Sequence, residues 1–144
     1  MNAKITVTAH STPSNIVNNF ELEKLVDTTD EWIQSRTGIV QRHIVEDGEA
    51  NSDIATNIAK KLIHKAKISA DEIDLIIVGT VTPDHYTPST AALVQKNIGA
   101  TNAWGFDLSA ACSGYIFGLG YSKLQVLPYF LKRLLLGIQY FAKI

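Results

Sequence analysis

The sequence predicts an α/β fold with a mainly parallel sheet flanked by helices. Three runs are apolar on nearly every residue, as expected for strands covered on both faces: IDLIIVGTVT from Ile73, the segment from Ala103 to Leu108, and KRLLLGI from Lys132. Segments with helical spacing separate these runs, and strands that alternate with helices favour parallel pairing. No tandem repeat, low-complexity tract or linker interrupts the pattern, so residues 1–144 are predicted to form one domain.

The elements before the first core strand are predicted from short local patterns. Lys4 to Thr8 is a β-branched run typical of a strand. The segment NNFELEKLV follows it, and Asn18 or Asn19 is placed to cap a helix there. The next stretch, DTTDEWIQSRTGIVQRHIVEDGE, is polar and rich in turn residues, with a short helical turn predicted at Trp32 and Ile33.

Three longer helices are predicted between and after the core strands. NSDIATNIAKKLIHKAKI has one apolar stripe with lysines facing away from it. STAALVQKNIG is predicted to be capped by Ser89 and closed by Gly99. From about Cys112 a helix begins that carries almost no charge, which predicts burial all round. Pro128 is predicted to end it, because proline lacks the amide hydrogen that a helix needs.

Composition excludes several classes of protein. The chain has 144 residues, 46% hydrophobic and 19% charged, with a formal net charge of −1, which is globular and gives no electrostatic reason to expect nucleic acid. One cysteine excludes an internal disulfide framework, and MNAKITVTAH lacks the apolar region of a signal peptide. No apolar run approaches the roughly 18 residues that a membrane span needs. We therefore expect a soluble, cytoplasmic protein without membrane contact.

The only cysteine, Cys112, lies in FDLSAACSGYIFGLG, where a predicted strand turns into a helix. A free cysteine is usually a small buried hydrophobe, so a structural role is one interpretation. At a helix start, however, unpaired amides and the helix dipole favour the thiolate and can hold the oxyanion formed when it attacks a thioester. The small residues Ala110, Ala111, Ser113 and Gly114 leave room for a slim substrate. From the residues alone, both interpretations stay open.

The elbow FDLSAACSG resembles the active-site segment of the thiolase-fold condensing enzymes. The chain is most similar to the β-ketoacyl-acyl carrier protein synthase III family, through LEKLVDTTDEWIQSRTGI, QRHI, IDLIIVGTVTPD, PSTAALVQ and the elbow, in that order. The resemblance covers nearly the whole chain. It implies the N-terminal half of a thiolase-like fold, with residues 1–144 as an N-terminal domain truncated before the C-terminal half.

The resemblance also implies an acyltransferase of fatty acid biosynthesis. Cys112 would take an acyl group, usually acetyl, from acyl-coenzyme A, and the thioester would be attacked by the carbanion of decarboxylated malonyl-acyl carrier protein. Trp32 would stack on the adenine of coenzyme A, Thr28 would lie beside that base, and Arg36 would reach toward the phosphates. No cofactor or metal is implied beyond the coenzyme A thioester as substrate. The family forms homodimers.

Several departures from the family limit what is expected of this chain. The family's catalytic histidine and asparagine, and its glycine-rich loop, belong to the second half of the fold. Thr87 stands where many members carry a phenylalanine, which leaves the acyl preference open. We therefore expect the chain alone to be inactive in condensation unless a separate C-terminal half completes it. The alternatives are a truncated fragment or interaction partner, and a related thiolase-fold acyltransferase of secondary metabolism.

The four histidines are predicted to lie at the surface. His10 and His43 are expected in loops, His64 on the polar edge of its helix, and His85 after a strand end. Their spacing does not predict a metal site.

Overall fold

The structure, a computed structural model, describes residues 4–125 and 134–138. These residues form two compact units. The larger unit holds residues 4–11, 50–125 and 134–138, and the smaller unit holds residues 12–49. The predicted helix end at Pro128 lies outside the described residues.

A three-stranded parallel sheet forms the centre of the larger unit. Strand β3 (Leu75–Gly79) lies between β4 (Trp104–Leu108) and β5 (Leu134–Ile138) and pairs in parallel with both. All five residues of β3 are buried. The predicted parallel α/β arrangement is therefore confirmed, and the apolar run IDLIIVGTVT marks the central strand, where both faces are covered.

Two helices complete the core of this unit. Helix α3 (Asn51–Ala66) buries the predicted apolar stripe, and helix α4 (Thr90–Ile98) begins and ends as predicted. The Ser89 hydroxyl accepts a hydrogen bond from the Ala92 amide at 3.2 Å, and Gly99 closes α4 with a left-handed φ of 72°. The packed cluster consists of apolar residues from the helices, β3 and the adjoining loops: Ala55, Ala59, Ile73, Ile76, Val78, Ala91, Val94, Ala100 and Ala103.

Three predictions for this unit are wrong in part. Lys4 to Thr8 is not a strand, since a β-branched run forms one only where a neighbouring strand accepts its hydrogen bonds. Strand β4 exists, but it is partly exposed at the edge of the described sheet. Helix α5 (Gly114–Gln125) exposes Ile116 to 65% and Phe117 to 57% instead of being buried all round. Apolar composition favours burial, but burial also requires a covering element, and among the described residues none packs on this face.

None of the helices in the described part of the chain combines the length and the apolar character needed to cross a membrane.

The smaller unit is built around a short antiparallel pair of strands. Strands β1 (Asn15–Asn18) and β2 (Gln41–Ile44) pair over their whole length, and between them lie α1 (Asn19–Leu22) and α2 (Asp30–Thr37). The Asn18 side chain caps α1, one of the two predicted caps, and the Glu21 carboxylate accepts the Asn18 amide in return. The two strands were not predicted, because their residues are mostly polar and each strand is only four residues long.

A buried amide holds the smaller unit together. The Asn19 side chain donates to the Asp30 carboxylate at 2.7 Å and to the Ile39 carbonyl at 2.8 Å, and its oxygen accepts from Arg42. Hydrogen bonds from Gln34 and, to a smaller extent, from Asn19 hold the pKa of Asp30 below its ordinary value. Polar contacts thus join both helices to β2.

Substitution of Gly105 in β4 tests how closely β3 and α4 approach this strand. A Cβ atom at Gly105 would lie 2.6 Å from the Ile76 carbonyl oxygen and 3.2 Å from the Ala91 Cβ. We expect Gly105→Ala to lower the free energy of unfolding by about 1–3 kcal/mol, measured by urea denaturation. The matched control is Gly120→Ala in α5, where nothing lies within 4 Å and alanine should stabilise the helix by about 0.5–1 kcal/mol. Equal effects of the two substitutions would contradict the close packing.

Candidate active site

Cys112 lies in a tight turn between the end of β4 and the start of α5. The turn is a 3₁₀ segment, Ala111–Ser113, and α5 begins directly after it at Gly114. The Cys112 side chain is exposed. A thiol at this position is therefore open to a reactant from solvent, which a buried structural cysteine is not.

The backbone of this turn is unusual for residues with side chains. Ala111 has a left-handed φ of 43°, a conformation that L-residues rarely adopt outside functional or tightly constrained positions. The Ser113 amide donates to the Ala110 carbonyl at 3.0 Å, so among the described residues the hydrogen bonds of the turn begin after Cys112. The Cys112 amide thus precedes the first hydrogen bond of the turn.

The start of α5 lies against the ends of two strands. A Cβ atom at the buried Gly114 would lie 3.7 Å from the Gly79 Cα and 3.7 Å from the Leu108 carbonyl oxygen. Leu108 also accepts the Thr80 amide at 3.2 Å, which continues the β3–β4 pairing to this edge. The start of α5 is therefore fixed at the carboxyl end of the parallel sheet, where ligands of open α/β sheets usually bind.

A carboxylate in the elbow motif anchors this end of β4. The Asp107 side chain accepts the Thr90 amide at 2.7 Å and the Ala91 amide at 2.8 Å. With Ser89 accepting the next amide, three successive donors at the start of α4 are satisfied. The negative charge also lies at the positive end of the helix dipole. Asp107 therefore ties β4, five residues before Cys112, to α4.

A second carboxylate does the same after β3. Asp84 accepts the Ser52 amide at 3.1 Å with one carboxylate oxygen and at 3.3 Å with the other, at the start of α3. The Asn51 side chain donates to the Thr80 hydroxyl at 2.7 Å and to the Thr82 carbonyl at 2.9 Å. Neither Asp84 nor Asp107 was predicted from the sequence. The pattern that indicates them is an acidic residue near the end of β3 or β4, a few residues before a predicted helix or opposite the start of one.

In the smaller unit, the predicted coenzyme residues lie on α2 and just before it. The Thr29 hydroxyl caps α2 by accepting the Trp32 amide at 3.1 Å. Trp32 is 54% exposed, and the Arg36 guanidinium lies 5.0 Å from the centre of its ring. Thr28 and Trp32 line one cavity of about 260 Å³ together with Asp27 and Thr29. The structure thus brings Thr28, Trp32 and Arg36 together on one short segment.

The histidines lie mostly where the sequence predicts. His10 and His85 are outside helices and strands, and His64 is exposed on α3. The prediction for His43 is wrong, because it lies in β2 with its Nδ1 atom 2.7 Å from the Pro13 carbonyl oxygen. Within the described ranges, no three histidine, cysteine, aspartate or glutamate side chains are grouped so that they could hold a metal ion.

Comparison with known proteins finds similar sequences but no matching family model. The β-ketoacyl-[acyl-carrier-protein] synthase III of Lactococcus lactis subsp. cremoris (strain MG1363) is 50% identical over 143 residues, which is 99% of this chain and 44% of the relative. The protein of the same name from Chlorobaculum tepidum is 58% identical over 120 residues, 83% of this chain and 36% of the relative.

A solved structure agrees with these sequence matches. The 3-oxoacyl-[acyl-carrier-protein] synthase III of Aquifex aeolicus VF5 superposes with a TM-score of 0.84 at 43% identity, over 90% of this chain and 42% of that structure. The predicted thiolase-like fold is therefore confirmed. The chain is similar to the N-terminal part of β-ketoacyl-[acyl-carrier-protein] synthase III and spans less than half the length of these relatives.

Removal of the Asp107 carboxylate tests its anchoring role. Asp107→Ala leaves two amides of α4 without their acceptor, and we expect it to lower the free energy of unfolding by about 1–2 kcal/mol. The matched control is Asp71→Ala, since the Asp71 carboxylate accepts only an exposed hydrogen bond from the Thr101 hydroxyl, and its loss should change stability by less than about 0.5 kcal/mol. Both values come from urea denaturation. A smaller effect at Asp107 than at Asp71 would show that α4 starts without the carboxylate.

Proposed function

We propose that Cys112 accepts an acyl group, in the first instance acetyl, from acyl-coenzyme A. The transfer is the priming step of β-ketoacyl-acyl carrier protein synthase III in fatty acid biosynthesis, which then condenses the acyl group with malonyl-acyl carrier protein. The observation that carries the proposal is the exposed Cys112 thiol in the turn between β4 and α5. The similarity to synthase III over 99% of the chain supports the choice of reaction.

The geometry around Cys112 suits an acyl transfer. The thiolate attacks the thioester carbonyl carbon, a new carbon–sulfur bond forms, and the coenzyme leaves as a thiolate that takes up a proton. The Cys112 amide, which precedes the first hydrogen bond of the turn, donates to the oxyanion of the tetrahedral intermediate. The small side chains of Ala110, Ala111 and Ser113 leave the approach to the sulfur open.

The coenzyme would be recognised by the residues on and before α2. The exposed face of Trp32 offers a stacking surface for adenine, with Thr28 beside the base. Arg36, which already stacks on the Trp32 ring, presents the fork of donors that binds phosphate. The Asp27 carboxylate in the same cavity would repel phosphate. This favours the neutral base in the cavity and the phosphates on the Arg36 side.

Complete condensation would need more of the protein than this chain. The curated relatives are more than twice as long as the part that the chain matches, since that part is 44% and 36% of their length. We propose that a C-terminal half supplies the histidine and asparagine that activate malonyl-acyl carrier protein, and that the enzyme is a cytoplasmic homodimer. The alternative is a fragment that keeps the fold but does not catalyse condensation.

Acylation of Cys112 is tested by mixing the purified chain with acetyl-coenzyme A and measuring intact mass. We expect one acetyl group, located on Cys112 by peptide mapping, and none on a Cys112→Ala variant. Addition of malonyl-acyl carrier protein should yield no acetoacetyl product. An unmodified chain would support the non-catalytic alternative, and an acetoacetyl product would overturn the proposed need for a second half.

The coenzyme site is tested by a matched pair of tryptophan substitutions. Trp32 and Trp104 are exposed to similar extents, 54% and 47%, but only Trp32 lines the cavity with Thr28. We expect Trp32→Ala to weaken coenzyme A binding by about tenfold, because stacking on a base contributes on the order of 1–3 kcal/mol. Trp104→Ala should leave the dissociation constant, measured by calorimetry, unchanged. Equal effects of the two substitutions on the dissociation constant would show that Trp32 is not part of the coenzyme site.

A further inference from the structure

A groove in the larger unit lies between the carboxyl ends of α3 and α4. Its cavity volume is about 570 Å³, within the range of small-ligand sites. The floor is formed by four apolar side chains, Ile63, Ile68, Ala70 and Ile98, which pack against the core cluster but are only partly buried. The apolar core therefore reaches the surface here and offers a lining for a hydrocarbon chain.

The rim of this groove is basic. Lys60, His64 and Lys67 line it, and none of the residues that line it in the described structure carries a carboxylate. The other lysines of α3 are engaged elsewhere, since Lys61 donates to the His10 carbonyl at 3.0 Å and Lys65 to the Thr8 carbonyl at 3.1 Å. Lys60 and Lys67 have no such bond within the described part of the chain. Their charges are thus available to a ligand.

A further feature of this groove is the backbone conformation of Lys67, one of the residues that line it. Lys67 ends α3 in the left-handed conformation, with φ 54° and ψ 46°. Helices α2 and α4 end in the same conformation with glycines, Gly38 and Gly99, which adopt it without strain. At the end of α3 this position is a lysine, for which the left-handed conformation is less favourable than it is for glycine. The lysine side chain lines the groove.

From the apolar floor, the basic rim and the strained lysine we infer that this groove binds an amphipathic anion, a carboxylate or phosphate monoester on a short hydrocarbon chain. The hydrocarbon chain lies on the isoleucine floor, and Lys60 and Lys67 hold the anionic group at the rim. A ligand of this size fits the volume of the groove, and its charge is opposite to that of the rim. The site is separate from Cys112, so it stands or fails independently of the proposed acyl transfer.

The binding test uses octanoate and octyl phosphate, with octyltrimethylammonium as the cation of the same chain length. Titration is followed by the NMR shifts of the methyl groups of Ile63, Ile68 and Ile98. We expect saturable shifts with at least one anion, the tighter of the two identifying the anionic group, and much weaker shifts with the cation. Binding of neither anion, or equal binding of the cation, would overturn the inference.

Substitutions at the rim separate a ligand-binding role from a structural one. Lys67→Gly should raise the midpoint of thermal unfolding, because glycine relieves the strain, yet weaken anion binding by about fivefold, as expected for an exposed ion pair. Lys67→Arg should retain the affinity. Lys60→Ala should weaken binding, while its neighbour Lys61→Ala should not. Unchanged affinity in Lys67→Gly, or a lowered midpoint, would contradict the role assigned to Lys67.

Discussion

The hydrogen bonds from the start of α4 to the Asp107 carboxylate are the contact on which the rest of the larger unit depends. Parallel strands end at one edge of their sheet, and the helices that follow must start near that edge with unpaired amides. Asp107 satisfies two of those amides from the end of β4, and Asp84 satisfies one at the start of α3. The two carboxylates thus join strand ends to helix starts. Because β4 is fixed in this way, the turn that carries Cys112 leaves the sheet from a defined point.

The two units reach stability by different means, and this has a consequence for their response to acid. The larger unit combines the fully buried apolar strand β3 with the hydrogen bonds to Asp107, whereas the smaller unit is held by Asn19 and its partners Asp30 and Arg42. The pKa of Asp30 is lowered in the folded state, first by Gln34. Its contribution is therefore complete above the ordinary aspartate pKa and is lost only as pH falls through the lowered value. Protonation of Asp30 would therefore weaken its hydrogen bonds to Gln34 and Asn19 and with them the smaller unit.

Local patterns predicted the elements that need only local information. Helix α3 has an apolar stripe, α4 has the caps Ser89 and Gly99, and β3 is a continuous apolar run, so all three were predicted close to their observed bounds. The strands β1 and β2 were missed because pairing between two polar segments, about 25 residues apart, leaves no local pattern. The burial of α5 was overestimated, since composition cannot say which element covers a face. Cys112 was predicted at a strand-to-helix turn. The role of Asp107 in fixing the strand before that turn was not predicted, because the amides that Asp107 accepts belong to α4.

Backbone strain in the described chain is confined to two residues with side chains, and both lie where a function is proposed. Ala111 precedes the candidate nucleophile, and Lys67 lines the basic groove. Elsewhere the left-handed positions belong to glycines, at Gly38, Gly48 and Gly99, which adopt them at no steric cost. A glycine at either strained position would be the more stable choice for the fold alone. A side chain that persists there must be held by its surroundings, and such positions cluster at functional sites. Ala111 lies in the turn between β4 and α5, next to the exposed Cys112 thiol, and the Lys67 side chain lines the groove between α3 and α4.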